Sequence, residues 1–187
     1  MLDIGTVLDI GDHRVEITGN PDSHGDRYVV RIDADPGGPG IKGPFPHVHP
    51  TLVETFQCLS GDMVIRAGKE VSDLPVGAKV EVPEGQVHGL LNVGQDQLIV
   101  ESEVIFPNGY SPDNDLLAFG ATYDRLRRER PLSRITGEPA VLQMAVMLDA
   151  YKHVQRQPGV LGFVFSALAP IGRLVGYEAN PFGDGSA

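Results

Sequence analysis

The chain has little of what would mark a secreted, membrane-spanning or nucleic-acid-binding protein. Cys58 is the only cysteine in 187 residues, so no intrachain disulfide can staple the fold, and a reducing, cytoplasmic setting is expected. The start, MLDIGTVLDIGD, carries neither the basic nor the apolar segment of a secretory signal. The most apolar stretch near the C-terminus, Val160 to Val175, has only 16 residues and is broken by Gly162, Pro170 and Gly172. A bilayer-spanning helix needs about 20. Basic residues are scarce, 15 Lys and Arg against 25 Asp and Glu. The resulting net charge of −10 disfavours nonspecific binding to nucleic acid. Internal repeats and long low-complexity segments are also missing.

What is present is a change of pattern along the chain. Residues 1–124 hold 7 basic and 20 acidic side chains, net −13, whereas residues 125–187 hold 8 and 5, net +3. Up to about residue 106 the sequence reads as strands. HRVEIT, DRYVVRIDA, LVETFQCLSG, DMVIRAG, AKVEVP, HGLLNV and QLIVESEVIF alternate or are rich in β-branched residues, with Gly, Pro and Asp turns between them. Such an order suggests a sandwich or small barrel. Beyond Pro112 the pattern turns helical. DLLAFGATYDRLRRER is followed by EPAVLQMAVMLDAYKHVQRQ, with apolar residues at 141, 142, 144, 145, 148 and 151. GVLGFVFSALAPIGRLVGY comes last and is apolar nearly all round. The expected division is a β domain over 1–112 and a helical extension over 113–187, packed on the barrel or on a partner subunit.

Two stretches carry chemistry. In GPFPHVHPTLVETFQCLSGD, His47 and His49 are two apart and point to one face of an extended chain. Glu54 follows in an apolar run, where desolvating a lone carboxylate would be costly. In GAKVEVPEGQVHGLLN a turn precedes His88 on another expected strand. Three imidazoles and one carboxylate from neighbouring strands suit a divalent first-row transition metal: Fe, Mn, Zn, Ni or Cu.

The first stretch reads H-x-H-x4-E-x6-G, at His47, His49, Glu54 and Gly61. The second reads G-x5-P-x-G-x2-H-x3-N, at Gly77, Pro83, Gly85, His88 and Asn92. Together they resemble the two motifs of the cupin superfamily, in order and with the short spacer of its compact bacterial, RmlC-like members. One position departs from the pattern: the leading glycine of the first motif would fall at Ile41, with Gly40 just before it. The resemblance implies a mainly β double-stranded β-helix, or jelly roll, with C-terminal α-helices and one metal ion at a barrel mouth. Its ligands would be His47, His49, Glu54 and His88, with water or substrate completing the coordination. The tail resembles that of bacterial cupin-domain proteins with a helical C-terminal extension, and a homodimer is expected.

Other residues leave alternatives open. Glu101 and Glu103 share a face of the last long strand; lining the barrel, one of them would serve as general base, and otherwise both face solvent. Phe56 and Cys58 share the parity of Glu54 and are expected as pocket wall. Cys58 reads as a small buried hydrophobe, with nothing nearby in sequence to activate a thiol. Five arginines within Arg125–Arg134 form a solvated helix face or pair with the acidic barrel. Three functions compete: a metal-dependent enzyme on a small molecule, with oxygenase-type (dioxygenase-like) or isomerase-type chemistry; a non-catalytic binding or sensing module; and an accessory protein lying on a membrane surface. The apolar helical stripe favours packing over the membrane.

Overall fold

Alternating residues build two antiparallel sheets that face each other across one core. The computed structural model describes residues 2–10, 13–36, 46–111, 116–129 and 141–181, without the side chains of 127–129. The strands are β1 (Val7–Asp9), β2 (His13–Gly19), β3 (Arg27–Ala34), β4 (Val53–Ser60), β5 (Met63–Ala67), β6 (Glu70–Leu74), β7 (Lys79–Val82), β8 (His88–Asn92) and β9 (Leu98–Ile105), with a short helix α1 (Pro21–His24) between β2 and β3. Six strands form one sheet in the order β1-β2-β3-β9-β4-β7, and three form the other in the order β6-β5-β8. This is the expected double-stranded β-helix.

Period-two burial assigns the faces. Tyr28, Val30, Ile32 and Ala34 of β3 point inward, as do Leu98, Val100 and Val104 of β9, Phe56 and Cys58 of β4, and Met63 and Ile65 of β5. Two motif residues serve this frame. Gly61 adopts φ +95°, and a Cβ there would lie 2.9 Å from the Leu98 Cα, so the turn after β4 requires glycine. Asn92, buried at the end of β8, donates to the Ala34 and Asp96 carbonyls at 3.1 and 2.8 Å and accepts from the Gly94 amide at 2.9 Å. It ties the smaller sheet to β3.

The C-terminal part forms α2 (Leu116–Glu129), α3 (Val141–Ala150) and α4 (Gly159–Leu174). Asp124 of α2, itself buried, accepts from the Asp9 amide at 3.3 Å and so holds that helix against β1. In α3 the buried residues are Gln143 and Ala145 to Leu148, while Val141 is exposed. Of the apolar positions 141, 142, 144, 145, 148 and 151, Ala145 and Leu148 are buried, Leu142, Met144 and Tyr151 are half-buried, and Val141 alone is exposed. The helix ends at Ala150, within the stretch that reads as helical; a turn on the Tyr151 carbonyl follows, and Arg156 beyond it pairs with Val48. Gly172 of α4 sits where a Cβ would meet Val146 Cγ2 at 2.6 Å and the Leu142 carbonyl at 2.8 Å, which sets the close α3–α4 crossing. Only Ala169 and Gly172 of α4 are buried; Val160, Phe163, Val164, Ile171 and Leu174 are exposed. Among the described residues no helix is long and apolar enough to cross a membrane. The Gly- and Pro-rich stretch over 37–45, the boundary expected at 112 and the end of the arginine run, 130–134, lie outside the described residues, as do the side chains of Arg127 and Arg128.

Candidate metal centre

Each motif places its side chains through backbone pairing. His47 and His88 exchange amide-to-carbonyl hydrogen bonds of 3.0 and 2.9 Å across an isolated bridge, so the two motifs meet directly. The Gly85 amide, in the turn before His88, donates to the His49 carbonyl at 2.8 Å. Glu54 enters on the inward face of β4, between β9 and β7. The result gathers His47, His49, Glu54 and His88 so that one ligand atom from each lies within 4.8 Å of the others. His49, Glu54 and His88 are buried and His47 is half-buried, so the cluster reaches the surface on the His47 side.

The donor set fits a cation. His49 Nδ1 lies 2.8 Å from the Val154 carbonyl and His88 Nδ1 lies 2.9 Å from the Gln86 carbonyl. A carbonyl only accepts, so both protons sit on Nδ1 and both Nε2 atoms face the cluster. There His49 Nε2 is 3.2 Å from His47 Nε2 and 3.2 Å from Glu54 Oε2, and His88 Nε2 is 3.1 Å from the same oxygen. Lone pairs and a carboxylate brought this close repel unless a proton or a metal ion lies between them. Three imidazole nitrogens and one carboxylate oxygen are the ligand types of a divalent first-row transition metal.

The ionisation of the cluster follows from the same distances. Burial alone would raise the Glu54 carboxyl, but hydrogen bonds and charge from His49 and His88 outweigh it and hold the group well below the usual carboxylate range. Burial would lower His88, and the Glu54 carboxylate, helped by the Gln86 carbonyl, outweighs that and raises it. A proton and a metal ion thus compete for one place.

The remaining candidate residues separate. Phe56 is buried with its ring 6.1 Å from that of His88, beside the cluster. Cys58 lies on the same face but four residues further along β4, roughly 13 Å at strand rise. It is fully buried, its Sγ donates to the Gly61 carbonyl at 3.7 Å, and burial pushes its thiol up. Cys58 is therefore core at the far end of the barrel, not pocket wall. Of the two alternatives left open for Glu101 and Glu103, the outward one holds. Both occupy the outer face of β9, where Glu103 pairs with Arg27 at 2.9 Å and Lys79 at 3.5 Å. Glu101 stands opposite Arg31 on β3 and Gln57 on β4. The inward residue between them is Ser102, whose Oγ donates to Glu54 Oε1 at 2.7 Å. Ser102 and the Val154 carbonyl were not among the expected site groups; the parity of β9 was a signal for the first, and nothing local signalled the second.

Three histidines and a carboxylate gathered inside a double-stranded β-helix define a barrel of the cupin type. No family model and no curated protein matches the chain. Among solved structures it is similar to an uncharacterized conserved protein with a double-stranded β-helix domain from Klebsiella pneumoniae. That likeness is 28% identical over 54% of this chain and 82% of the other, with a TM-score of 0.44. An RmlC-like cupin from Shewanella frigidimarina is 19% identical over 56% and 86%, TM-score 0.46. KdgF from a Halomonas species is 19% identical over 55% and 88%, TM-score 0.45. The likeness to the cupin fold is carried by the two motifs and the strand topology rather than by these superpositions.

Proposed function

We propose that this protein binds one divalent transition metal through His47, His49, Glu54 and His88 and acts on a small molecule at that mouth of the barrel. The observation that supports the reading is the convergence of those four ligand atoms within 4.8 Å, with two imidazoles tautomerically set by backbone carbonyls. A bound ion would supply a Lewis acid with open positions for dioxygen or for a substrate able to form an enolate, which is why oxygenase-type and isomerase-type chemistry are the two enzymatic readings. The chain's own residues do the rest. Ser102 holds one Glu54 oxygen so that the other faces the centre, Phe56 keeps the inner wall dry, and half-buried His47 marks the side from which substrate enters.

A non-catalytic ligand-binding or sensing module is the second reading, favoured by the outward placement of both candidate bases, Glu101 and Glu103. Fold alone does not choose between the two. Elemental analysis of protein purified without chelator tests the metal. The expected result is about one divalent ion per chain, lost in the His47→Ala, His49→Ala double variant. Protein that takes up no metal even on reconstitution would end the enzymatic reading.

A further inference from the structure

The two buried histidines of the cluster are held in different ways. His88 is fixed locally, by the carbonyl of Gln86 two residues before it. His49 is fixed by the carbonyl of Val154, 105 residues away in the C-terminal extension. The segment that brings this carbonyl is itself built in. Its Val154 and Gln155 amides both donate to the Tyr151 carbonyl at 2.9 Å, closing a turn after α3. The Val154 side chain is fully buried. Two residues on, Arg156 and Val48 exchange amide-to-carbonyl hydrogen bonds, both of 3.0 Å, so the segment runs antiparallel to the stretch between His47 and His49. The Thr51 hydroxyl adds a bond to the His153 carbonyl at 3.4 Å. A strand-like clamp from outside the barrel therefore grips the first motif on both sides of His49.

We infer that residues 153–156 are a positioning element of the metal centre, and that docking of the α3–α4 extension and metal binding reinforce each other. The inference rests on the metal reading above. Its physical basis is the role of groups behind a ligand: the acceptor on Nδ1 sets which nitrogen carries the proton and how the ring is turned. Removing such a partner lowers metal affinity about 10–100-fold. Because the coupling is thermodynamic, it runs both ways. Metal binding must stabilise the segment by the factor that the segment adds to metal affinity.

Arg156→Pro tests this by deleting the amide that bonds Val48, while Arg156→Ala removes the same exposed side chain and keeps the amide. Zn²⁺ affinity, measured against a chromophoric chelator, should fall about 10–100-fold in Arg156→Pro and stay at the wild-type value in Arg156→Ala. In metal-free protein at alkaline pH, long-range ¹H–¹⁵N NMR should show His49 as the Nδ1-protonated tautomer in wild type and as a mixture in Arg156→Pro. Hydrogen exchange on wild type, which needs no variant to fold, should show the 153–156 amides slowed by Zn²⁺. Equal Zn²⁺ affinity in both variants, or exchange indifferent to Zn²⁺, would overturn the inference. Wild type that binds no Zn²⁺ but shows the tautomer change would end the metal reading and leave the positioning role standing. An unchanged tautomer in a folded Arg156→Pro would end the positioning role whatever the metal does.

Discussion

Ser102→Ala is the most informative single change. The Glu54 carboxylate divides its work: Oε1 accepts from Ser102 Oγ at 2.7 Å, and Oε2 stands 3.2 and 3.1 Å from the Nε2 atoms of His49 and His88. Both partners are buried, with Ser102 fully so, so water does not replace a lost hydroxyl cheaply. A hydrogen bond to a charged acceptor in such a place contributes about 1.5–3 kcal/mol. Losing it frees the carboxylate to turn, so the metal centre loses a pre-set ligand as well as a bond. An effect of 10–100-fold on metal affinity corresponds to about 1.4–2.7 kcal/mol, the same range reached from the other side. Urea unfolding of the metal-free variant should therefore show a loss of about 1.5–3 kcal/mol. Chelator competition should show Zn²⁺ or Co²⁺ affinity reduced about 10–100-fold. Cys58→Ala is the control, since it shortens an inward side chain of the same sheet away from the cluster; it should cost stability and leave metal affinity alone. Metal affinity in Ser102→Ala equal to that of Cys58→Ala would refute the assignment of Ser102 to the site.

Two further outcomes follow from the same structure. In metal-free protein the depressed Glu54 contributes stability present above the ordinary carboxylate pKa, about 4.3, and lost as pH falls through its lower folded value. The raised His88 contributes stability present below the ordinary imidazole pKa, about 6.5, and lost as pH rises through its higher folded value. Denaturation midpoints should thus peak in the window between those two ordinary values and fall on both sides, while metal affinity climbs with pH as the His88 proton is surrendered. A midpoint flat from pH 4 to 8 would count against the pair. Gly172→Ala should push α3 and α4 apart, because the added Cβ would meet Val146 Cγ2 at 2.6 Å and the Leu142 carbonyl at 2.8 Å. Overpacking of this kind costs about 1–3 kcal/mol, seen as a lowered unfolding midpoint, and a neutral substitution would show that the crossing is looser than described.

Much of the barrel is legible in sequence because its inward strands alternate, as in Tyr28, Val30, Ile32 and Ala34. The strands that sequence does not announce are those without that signal. β1 has three residues, and β6 presents Glu70 to Asp73 to solvent before burying Leu74, as an edge strand can. Period two also yields two faces without saying which is inside, and β9 shows the consequence: Glu101 and Glu103 draw attention by their charge, while Ser102 between them is the residue that touches the cluster. The ligand set is legible because its spacing is a motif: Glu54 lies on β4 and His88 on β8, and His47 meets His88 across an isolated bridge. What surrounds it is not. The Val154 carbonyl reaches His49 through tertiary pairing across 105 residues.

The central claim is that His47, His49, Glu54 and His88 together hold one ion. Diffraction from crystals of protein reconstituted with Zn²⁺, collected on both sides of the zinc absorption edge, tests it most directly. The account predicts a single strong anomalous peak about 2.0–2.2 Å from one nitrogen of each histidine and from a Glu54 oxygen. A peak at another place, or none among these four residues in fully loaded protein, would contradict it.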